Sequence, residues 1–312
     1  RRKGTSTANL TFRTIAESWL ETNKDQWTPD HHKKLTSKLT DKIYPRIGAM
    51  DIATITPDII LSLCKNIETT ISSYTAQTVH SLISRIFRYA VAYGHVPSDP
   101  CRDLRGALKP HKEKNMPAIT DPVEVGKLAI KIDRYDGMPT TRAAMQLMLL
   151  FMCRTKEIRG MRWSEVDFTD KLWRIPGDRM KMGREHLVPL STQALDILRS
   201  MQPLTGGGDL VFPSYCRERK STPMGKNTIN NALHIMGYEN GEIVGHGFRS
   251  AASTILNELG WNRDAVELQL AHVPTDKVRA AYNRAAYLDE RRRMLQAWAD
   301  HLDTLKERAS LP

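Results

Sequence analysis

A polar, basic and proline-bounded stretch interrupts the sequence about a third of the way along the chain. Residues 109–117 read Lys-Pro-His-Lys-Glu-Lys-Asn-Met-Pro, a composition typical of an extended linker. A chain of 312 residues is long enough to form two domains. The stretch therefore predicts an N-terminal domain over residues 1–110, a basic linker over 111–119 and a second domain over 120–312.

The sequence before the linker carries the apolar period of helices. Two stripes, Phe12 to Leu20 and Val79 to Val91, place apolar residues at i, i+3, i+4 and i+7, on one face of a helix. Thr28 and Thr56 each precede a proline and an aspartate, which is the pattern of a helix N-terminus. Gly94 follows the longer stripe and predicts its end. The first domain is predicted to be a small all-helical bundle.

The sequence after the linker mixes helical and extended patterns. Residues 143–152 predict an apolar helix, and a short helix follows through Glu157. Residues 172–175 and 187–190 predict two strands joined by a hairpin-like connection. The predicted fold class is therefore mainly α with a small β-sheet, in which a helical domain precedes a mixed α+β domain.

The charge of the chain indicates a polyanionic partner without proving one. The net charge is +11. Residues 1–119 hold 18 Lys and Arg against 11 Asp and Glu, or +7, and the rest hold 28 against 24, or +4. A basic face of this kind either contacts nucleic-acid phosphates or is simply solvated. The candidates for backbone contacts are Lys33, Lys34, Lys38, Lys42, Lys109, Lys112 and Lys114.

Composition also bounds the setting of the protein. The chain is 40% apolar with no apolar run near the ~20 residues of a membrane helix, so no membrane association is expected. It lacks CxxC pairs, which predicts reduced thiols in a cytoplasm and no metal site. The chain begins Arg-Arg-Lys without an initiator Met or a signal peptide, and we expect it to begin inside a longer protein. The widely spaced cysteines are Cys64, Cys101, Cys153 and Cys216.

A cluster of chemically capable side chains lies in the second domain. Cleaving a phosphodiester without a metal needs cationic donors on the non-bridging oxygens, an in-line nucleophile and an acid for the leaving 5′ oxygen. Arginine suits the first task because its planar fork donates two hydrogen bonds to one phosphate. The chain offers an upstream arginine and lysine and a dense C-terminal group: Arg154, Lys181, His246, Arg249, His272 and Tyr282.

The surrounding motifs resemble those of a known family. Residues 153–163, Cys-Arg-Thr-Lys-Glu-Ile-Arg-Gly-Met-Arg-Trp, resemble the first arginine box of tyrosine recombinases, the phage integrase family. His246-Gly-Phe-Arg249, Leu-Ala-His272 and Tyr282 resemble the second box. The resemblance covers nearly the whole chain and is closest to integrases of satellite prophages and genomic islands. It implies a SAM-like helical core-binding domain before the catalytic domain, and an arm-binding domain upstream of residue 1.

The resemblance also implies a role for each residue. Arg154 and Arg249 would bind the scissile phosphate, and Tyr282 would attack it to form a 3′-phosphotyrosyl bond. Lys181, eight residues before Pro189, would protonate the leaving 5′ oxygen. His246 would assist proton transfer from the tyrosine, and His272 would hydrogen-bond the phosphate. Glu157 would orient an arginine or the local turn. No cofactor, metal or ATP is implied.

Several residues have competing interpretations. Lys181 could be an exposed turn lysine, and the histidines could be capping residues, core residues or zinc ligands, although no zinc-ligand spacing supports the last. Tyr287 competes with Tyr282, but a separation of five residues turns a helix by ~140°, so both cannot serve one phosphate equally. The chain also departs from the family at Ala271, where most relatives have glycine.

The expected partner is double-stranded DNA at attachment core sites. The resemblance implies that a homotetramer assembles on DNA and exchanges DNA strands through a Holliday junction. It also implies accessory factors that bend DNA or set the direction of recombination. The last helix, from about residue 288 to 306, carries an apolar face that would pack either on its own domain or on a neighbouring protomer. The alternatives to an integrase are a type IB topoisomerase, a catalytically idle DNA-binding protein and a hydrolytic phosphodiesterase.

Overall fold

The computed structural model describes residues 10–104, 106–111, 116–216, 221–239, 241–272 and 287–310. The chain divides into two compact units, residues 1–114 and 115–312, and each unit has its own hydrophobic core. The fold is mainly helical with one small three-stranded sheet, as the sequence predicts.

In its described ranges, the first unit is built from four α-helices. The α2 helix continues directly into a π-helical segment, Leu39–Gly48. The hydroxyl of Thr28 accepts a hydrogen bond from the His31 N–H and caps α2. Thr56 occupies the corresponding position before α3, but its hydroxyl makes no cap hydrogen bond. The helices are α1 (Phe12–Asn23), α2 (Pro29–Lys38), α3 (Pro57–Thr70) and α4 (Ser73–Ala92).

The two apolar stripes seen in the sequence form the core of the first unit. Phe12 of α1 and Phe87 of α4 are fully buried, with ring centroids 6.0 Å apart. The stripe of α4 ends one residue earlier than predicted, because Ala90 is buried and Val91 is exposed. Gly94 follows the helix with φ +72°, a left-handed conformation that glycine adopts without strain.

The second unit combines helices with a small antiparallel sheet. The strands pair in the order β1-β2-β3, with Leu172 opposite Pro189. β1 has only two residues, too few to show a strand period in the sequence. The elements are α5 (Pro122–Asp133), α6 (Pro139–Phe151), α7 (Thr155–Arg159), β1 (Val166–Asp167), β2 (Leu172–Ile175), β3 (His186–Pro189), α8 (Thr192–Thr205), α9 (Thr228–Ile235), α10 (Gly247–Glu258), α11 (Arg263–Gln269) and the C-terminal helix (Leu288–Ser310).

The C-terminal helix packs on its own unit. Its apolar face is buried, chiefly against α5, and Trp298 is fully buried with its indole N–H donating to the Leu149 carbonyl at 2.9 Å. Gly126 of α5 allows this close approach, because a Cβ there would collide with the backbone of Leu305. Of the two packings expected for this face, the single chain shows the one within its own domain. Across the described ranges, no helix combines the length and apolar character that a bilayer span requires.

Candidate active site

The first arginine box forms the turn between α6 and α7. Arg154 is the residue immediately before α7, in an extended conformation. The Glu157 carboxylate accepts a hydrogen bond from the Arg154 backbone N–H at 2.7 Å and one from its guanidinium at 2.9 Å. Glu157 is buried, whereas the Arg154 side chain is 27% exposed. One carboxylate therefore both caps the helix and orients the arginine toward the surface.

Arg249 of α10 reaches into the interior of the second unit. Its guanidinium donates to the backbone carbonyls of Met152 and Leu270, the latter at 2.7 Å, and lies 3.5 Å from Nε2 of His272. Burial lowers the pKa of Arg249 from its ordinary value, yet a guanidinium remains charged at neutral pH. In the described part of the chain its acceptors are neutral, and two of its five N–H donors are left for another ligand.

The two histidines lie beside this arginine. Nδ1 of His272 is 2.7 Å from the Glu267 carboxylate, so this ring is held from both sides and the pattern fits a proton on Nδ1. His246 precedes α10, and its pKa is lowered by partial burial and by the nearby charges of Arg249 and Arg154. A lowered pKa keeps His246 neutral at pH 7, the state in which an imidazole accepts a proton.

Two residues with a left-handed backbone conformation lie at the carbonyls that accept hydrogen bonds from Arg249. Met152 has φ 56° and Ala271 has φ 50°. A non-glycine residue pays about 1–2 kcal/mol for this conformation. Met152 supplies one of the acceptor carbonyls, and Ala271 directly follows Leu270, which supplies the other. Local strain is thus stored at both contacts of one guanidinium, which is typical of functional sites.

The remaining two predicted site residues are Lys181 and Tyr282. Lys181 is exposed in the loop between β2 and β3. Tyr282 lies outside the described residues. The competing Tyr287 is half-buried and packs against the core of the second unit, with its carbonyl accepting the Arg291 N–H at 2.8 Å.

A buried polar network beneath the site was missed by the sequence reasoning. Arg291 of the C-terminal helix donates to the Gln269 side chain at 2.6 Å and to the Leu187 carbonyl, and the Gln269 amide donates to the Phe151 carbonyl at 2.7 Å. Burial lowers the pKa of Arg291 to about 10. The available signal was its spacing, because Arg291 precedes Met294 by three residues and so lies on the apolar face.

His186, the first residue of β3, adjoins the same network. It is buried, and its Nε2 has no hydrogen-bond partner among the described residues. Burial and the neighbouring charge of Arg291 lower the pKa of His186 to about 3, although a hydrogen bond with the Gln269 backbone opposes this shift. The ring is therefore neutral at all physiological pH values.

The buried thiol of Cys153 lies among these cations. Burial and the nearby Glu157 raise its pKa above its ordinary value, although Arg249, Arg291 and Arg154 oppose the shift. Cys153 is therefore a neutral apolar filler of the site and adds no negative charge. Among the described residues, no group of three His, Cys, Asp or Glu side chains could hold a metal ion.

The predicted DNA-backbone lysines do not share one surface. Lys34 and Lys38 line a groove between α2 and α4 together with His31, Gln77 and Arg85. Lys33 is one residue from Lys34 and so points about 100° away around the helix. The pKa of Lys38 is lowered by burial and by the charge of Arg85. Because α2 and α4 are distant in sequence, no local sequence pattern indicates that Arg85 belongs to this cationic groove.

The linker lysines are only partly described. The Lys109 backbone N–H donates to Glu68 at 2.7 Å, and its carbonyl accepts from the Gln77 side chain at 2.8 Å. Residue 109 is therefore fixed to α3 and α4 through its backbone, which leaves its exposed side chain available. Lys112 and Lys114 lie outside the described residues.

Comparisons with known proteins show matches to both units of the chain. Residues 12–107 match the phage integrase central domain, and residues 122–288 match the phage integrase family. The IntB protein of Escherichia coli (strain K12) is 39% identical over 97% of this chain and 79% of its own length. The integrase of Enterobacteria phage P4 is 38% identical over 94% of this chain and 69% of its own length.

The fold is also similar to solved structures. A lambda integrase tetramer bound to a Holliday junction superposes with a TM-score of 0.68 at 18% identity, over 89% of this chain and 84% of the lambda chain. The chain belongs to the phage integrase family. It is a site-specific recombinase of the tyrosine type.

Proposed function

We propose that this integrase cleaves and rejoins DNA at attachment core sites with Tyr282 as its nucleophile, integrating or excising a mobile element. The phenolate oxygen attacks the scissile phosphorus, the bond to the 5′ oxygen breaks, and a 3′-phosphotyrosyl ester forms. The 5′ hydroxyl of a partner strand then attacks that ester and releases the tyrosine. Because the ester retains the energy of the broken bond, rejoining needs no ATP.

The contact between Arg249 and His272, together with the charge of Arg154 acting on the neighbouring His246, is the observation that supports this proposal most. Arg154 and Arg249 would bind the non-bridging oxygens, on which negative charge accumulates as the phosphorus becomes five-coordinate. His272, carrying a proton on Nε2 as well as on the Nδ1 that faces Glu267, would donate a hydrogen bond from Nε2 to one of these oxygens. The hydrogen-bond acceptors of Arg249 among the described residues are neutral, and the Glu157 and Glu267 carboxylates act on its charge only from nearby, so a phosphate would be its directly bound counter-ion.

Proton transfer would be divided between two residues. His246, neutral because its pKa is lowered, would accept the proton of the Tyr282 hydroxyl. Lys181 would deliver a proton to the 5′ oxygen as that oxygen leaves. The reverse transfers would serve the rejoining step by microscopic reversibility.

The groove between α2 and α4 would contact the DNA backbone. In this proposal residues 1–110 form the core-type DNA-binding domain, joined through residues 111–119 to the catalytic domain over 120–312. Lys38 and Arg85 each face the groove, so replacing either with alanine is expected to reduce the slope of log affinity against log salt by about one. Lys33→Ala is the matched control, because it lies on another face of α2.

Assembly would be a tetramer on two DNA sites. The C-terminal helix of each protomer would leave its own unit and pack in the same place on a neighbouring protomer. Its apolar face is buried within the single chain, and the equivalent surface of the neighbour would bury that face equally well. Accessory proteins that bend DNA or set the direction of recombination would assist this assembly on DNA in the cytoplasm. Cross-linking on core-site DNA with a cysteine pair across the α5 contact tests this exchange: inter-protomer bonds support it, and bonds within one chain only contradict it.

The test of the reaction is strand exchange without metal. Two labelled duplexes from the junctions of the element are incubated with the protein in EDTA, and recombinant strands and Holliday junctions are resolved on gels. Recombinants in EDTA are expected. A supercoiled plasmid that carries the same site is incubated in parallel: its relaxation without recombinants from the duplexes would favour a topoisomerase, and free hydrolysed ends would favour a phosphodiesterase.

A further inference from the structure

Arg179 links two parts of the active site that are separate in sequence. Its guanidinium forms an ion pair with Glu165 and donates a hydrogen bond to the backbone carbonyl of Glu157 at 2.8 Å. Glu165 is buried and also accepts the indole N–H of Trp173 at 3.0 Å. Arg179 therefore connects the segment that follows β2 to α7, the helix whose first turn orients Arg154.

The approach of this guanidinium to α7 is close. A Cβ atom at Gly160 would lie 2.9 Å from Nη2 of Arg179, so the glycine leaves the space that the side chain occupies. The Arg179 side chain is 18% exposed and that of Glu165 is 7% exposed. An ion pair shielded to this extent holds a more defined geometry than a surface pair.

The loop beyond Arg179 is short and closed on itself. Met180 is buried in the core, and its carbonyl accepts the Gly183 N–H at 3.1 Å. Lys181 is thus a central residue of a four-residue turn, and Gly183 ends that turn with φ +65°. Gly177 packs against the same turn, because a Cβ there would lie 2.7 Å from the Gly183 carbonyl oxygen. The backbone that carries Lys181 is held at both ends.

We propose that Arg179 is a positioning residue that sets Lys181 against the phosphate-binding arginines. Lys181 has a long side chain in an exposed turn, and no hydrogen bond or ion pair from the described residues holds it. Arg179, two residues earlier, is the nearest group that is anchored to the Arg154 turn. This inference rests on the proposed role of Lys181 as the acid that protonates the leaving 5′ oxygen.

Sulfur substitution at the leaving atom separates this role from a general structural one. When the bridging 5′ oxygen is replaced by sulfur, the leaving group departs as a thiolate, and because a thiol is far more acidic than an alcohol, no proton need be supplied. A variant that lacks only the acid is therefore slow on the phosphodiester and fast on the phosphorothiolate. A variant with a damaged phosphate site is slow on both.

The experiment measures single-turnover cleavage of a core-site duplex with each linkage by the full chain and its variants. The variants are Arg179→Lys, which keeps a charge for Glu165 but cannot also reach the Glu157 carbonyl, and Lys181→Ala as the reference for a missing acid. Arg184→Lys is the matched control, because Arg184 is exposed in the same loop. The ratio of the two rates is taken within one preparation, so it does not depend on the fraction of protein that is folded.

Arg179→Lys is expected to slow cleavage of the phosphodiester at least tenfold and of the phosphorothiolate no more than about twofold. Lys181→Ala should show the same selective loss, and Arg184→Lys should show none. If sulfur rescues Lys181→Ala but not Arg179→Lys, the inference about Arg179 is overturned and the proposed acid stands. If sulfur does not rescue Lys181→Ala, the role of Lys181 is wrong and the inference falls with it.

Discussion

Nη2 of Arg249 lies 3.5 Å from Nε2 of His272, and this contact joins the two halves of the second sequence box. The imidazole is held on its other side, where Nδ1 is 2.7 Å from the Glu267 carboxylate. An orienting partner on one ring nitrogen fixes which nitrogen faces the ligand. Glu267 therefore determines how His272 is presented to the phosphate.

Replacing Glu267 with alanine is expected to slow single-turnover DNA cleavage about tenfold, with DNA affinity unchanged within about twofold, because the His272 ring loses its orienting acceptor. Glu267→Gln keeps an acceptor oxygen and should retain most of the rate. Glu258→Ala, at the exposed end of α10, is the control. Equal rates for Glu267→Ala and the unaltered protein would show that His272 is oriented by other groups.

The buried His186 predicts a specific loss of stability in acid. Its pKa is about 3 in the folded chain and about 6.5 when unfolded. Between these values the unfolded chain binds one more proton, so the free energy of unfolding falls as the pH falls below 6.5. At pH 5 this single group removes about 2 kcal/mol relative to pH 7.

Denaturant unfolding at pH 7 and pH 5 measures this effect. His186→Gln should lose about 2 kcal/mol less than the unaltered protein between the two pH values, whatever its stability at pH 7. The comparison is made within each variant, so a general destabilisation cancels. The same acid loss in both proteins would show that His186 takes up a proton in the folded state as readily as in the unfolded state.

The Arg291 network predicts that one of three consecutive arginines is essential to the fold. Arg291→Met leaves the Gln269 and Leu187 oxygens buried without their donor, which is expected to cost about 2–4 kcal/mol. Arg293→Met, at an exposed position, should change the free energy of unfolding by less than about 0.5 kcal/mol. Chemical denaturation measures both, and equal values for the two variants would contradict the network.

Much of the fold could be predicted because the relevant patterns are local. The apolar stripes of α1 and α4 and the strand β2 follow from residue spacing alone, and these are confirmed. β1 was missed because a strand of two residues has no period. The side on which the C-terminal helix packs was left open, because an amphipathic helix specifies that a face is buried but not what buries it.

The site could be predicted only where a motif carried it. Arg154, Arg249 and His272 were found by resemblance, and the structure brings the last two into contact. Arg179 and His186 were missed because their roles depend on pairings between distant segments. Ala271 illustrates the same limit, since its departure from the glycine of most relatives was visible in the sequence but its left-handed backbone was not.

If Tyr282 is the nucleophile, it forms a covalent protein–DNA adduct that no other tyrosine can replace. The protein is incubated in EDTA with core-site DNA that it demonstrably binds, and adducts are resolved on denaturing gels beside Tyr282→Phe and Tyr287→Phe. An adduct is expected with the unaltered protein and with Tyr287→Phe, and none with Tyr282→Phe. An adduct that persists in Tyr282→Phe, or that is lost only in Tyr287→Phe, would contradict it.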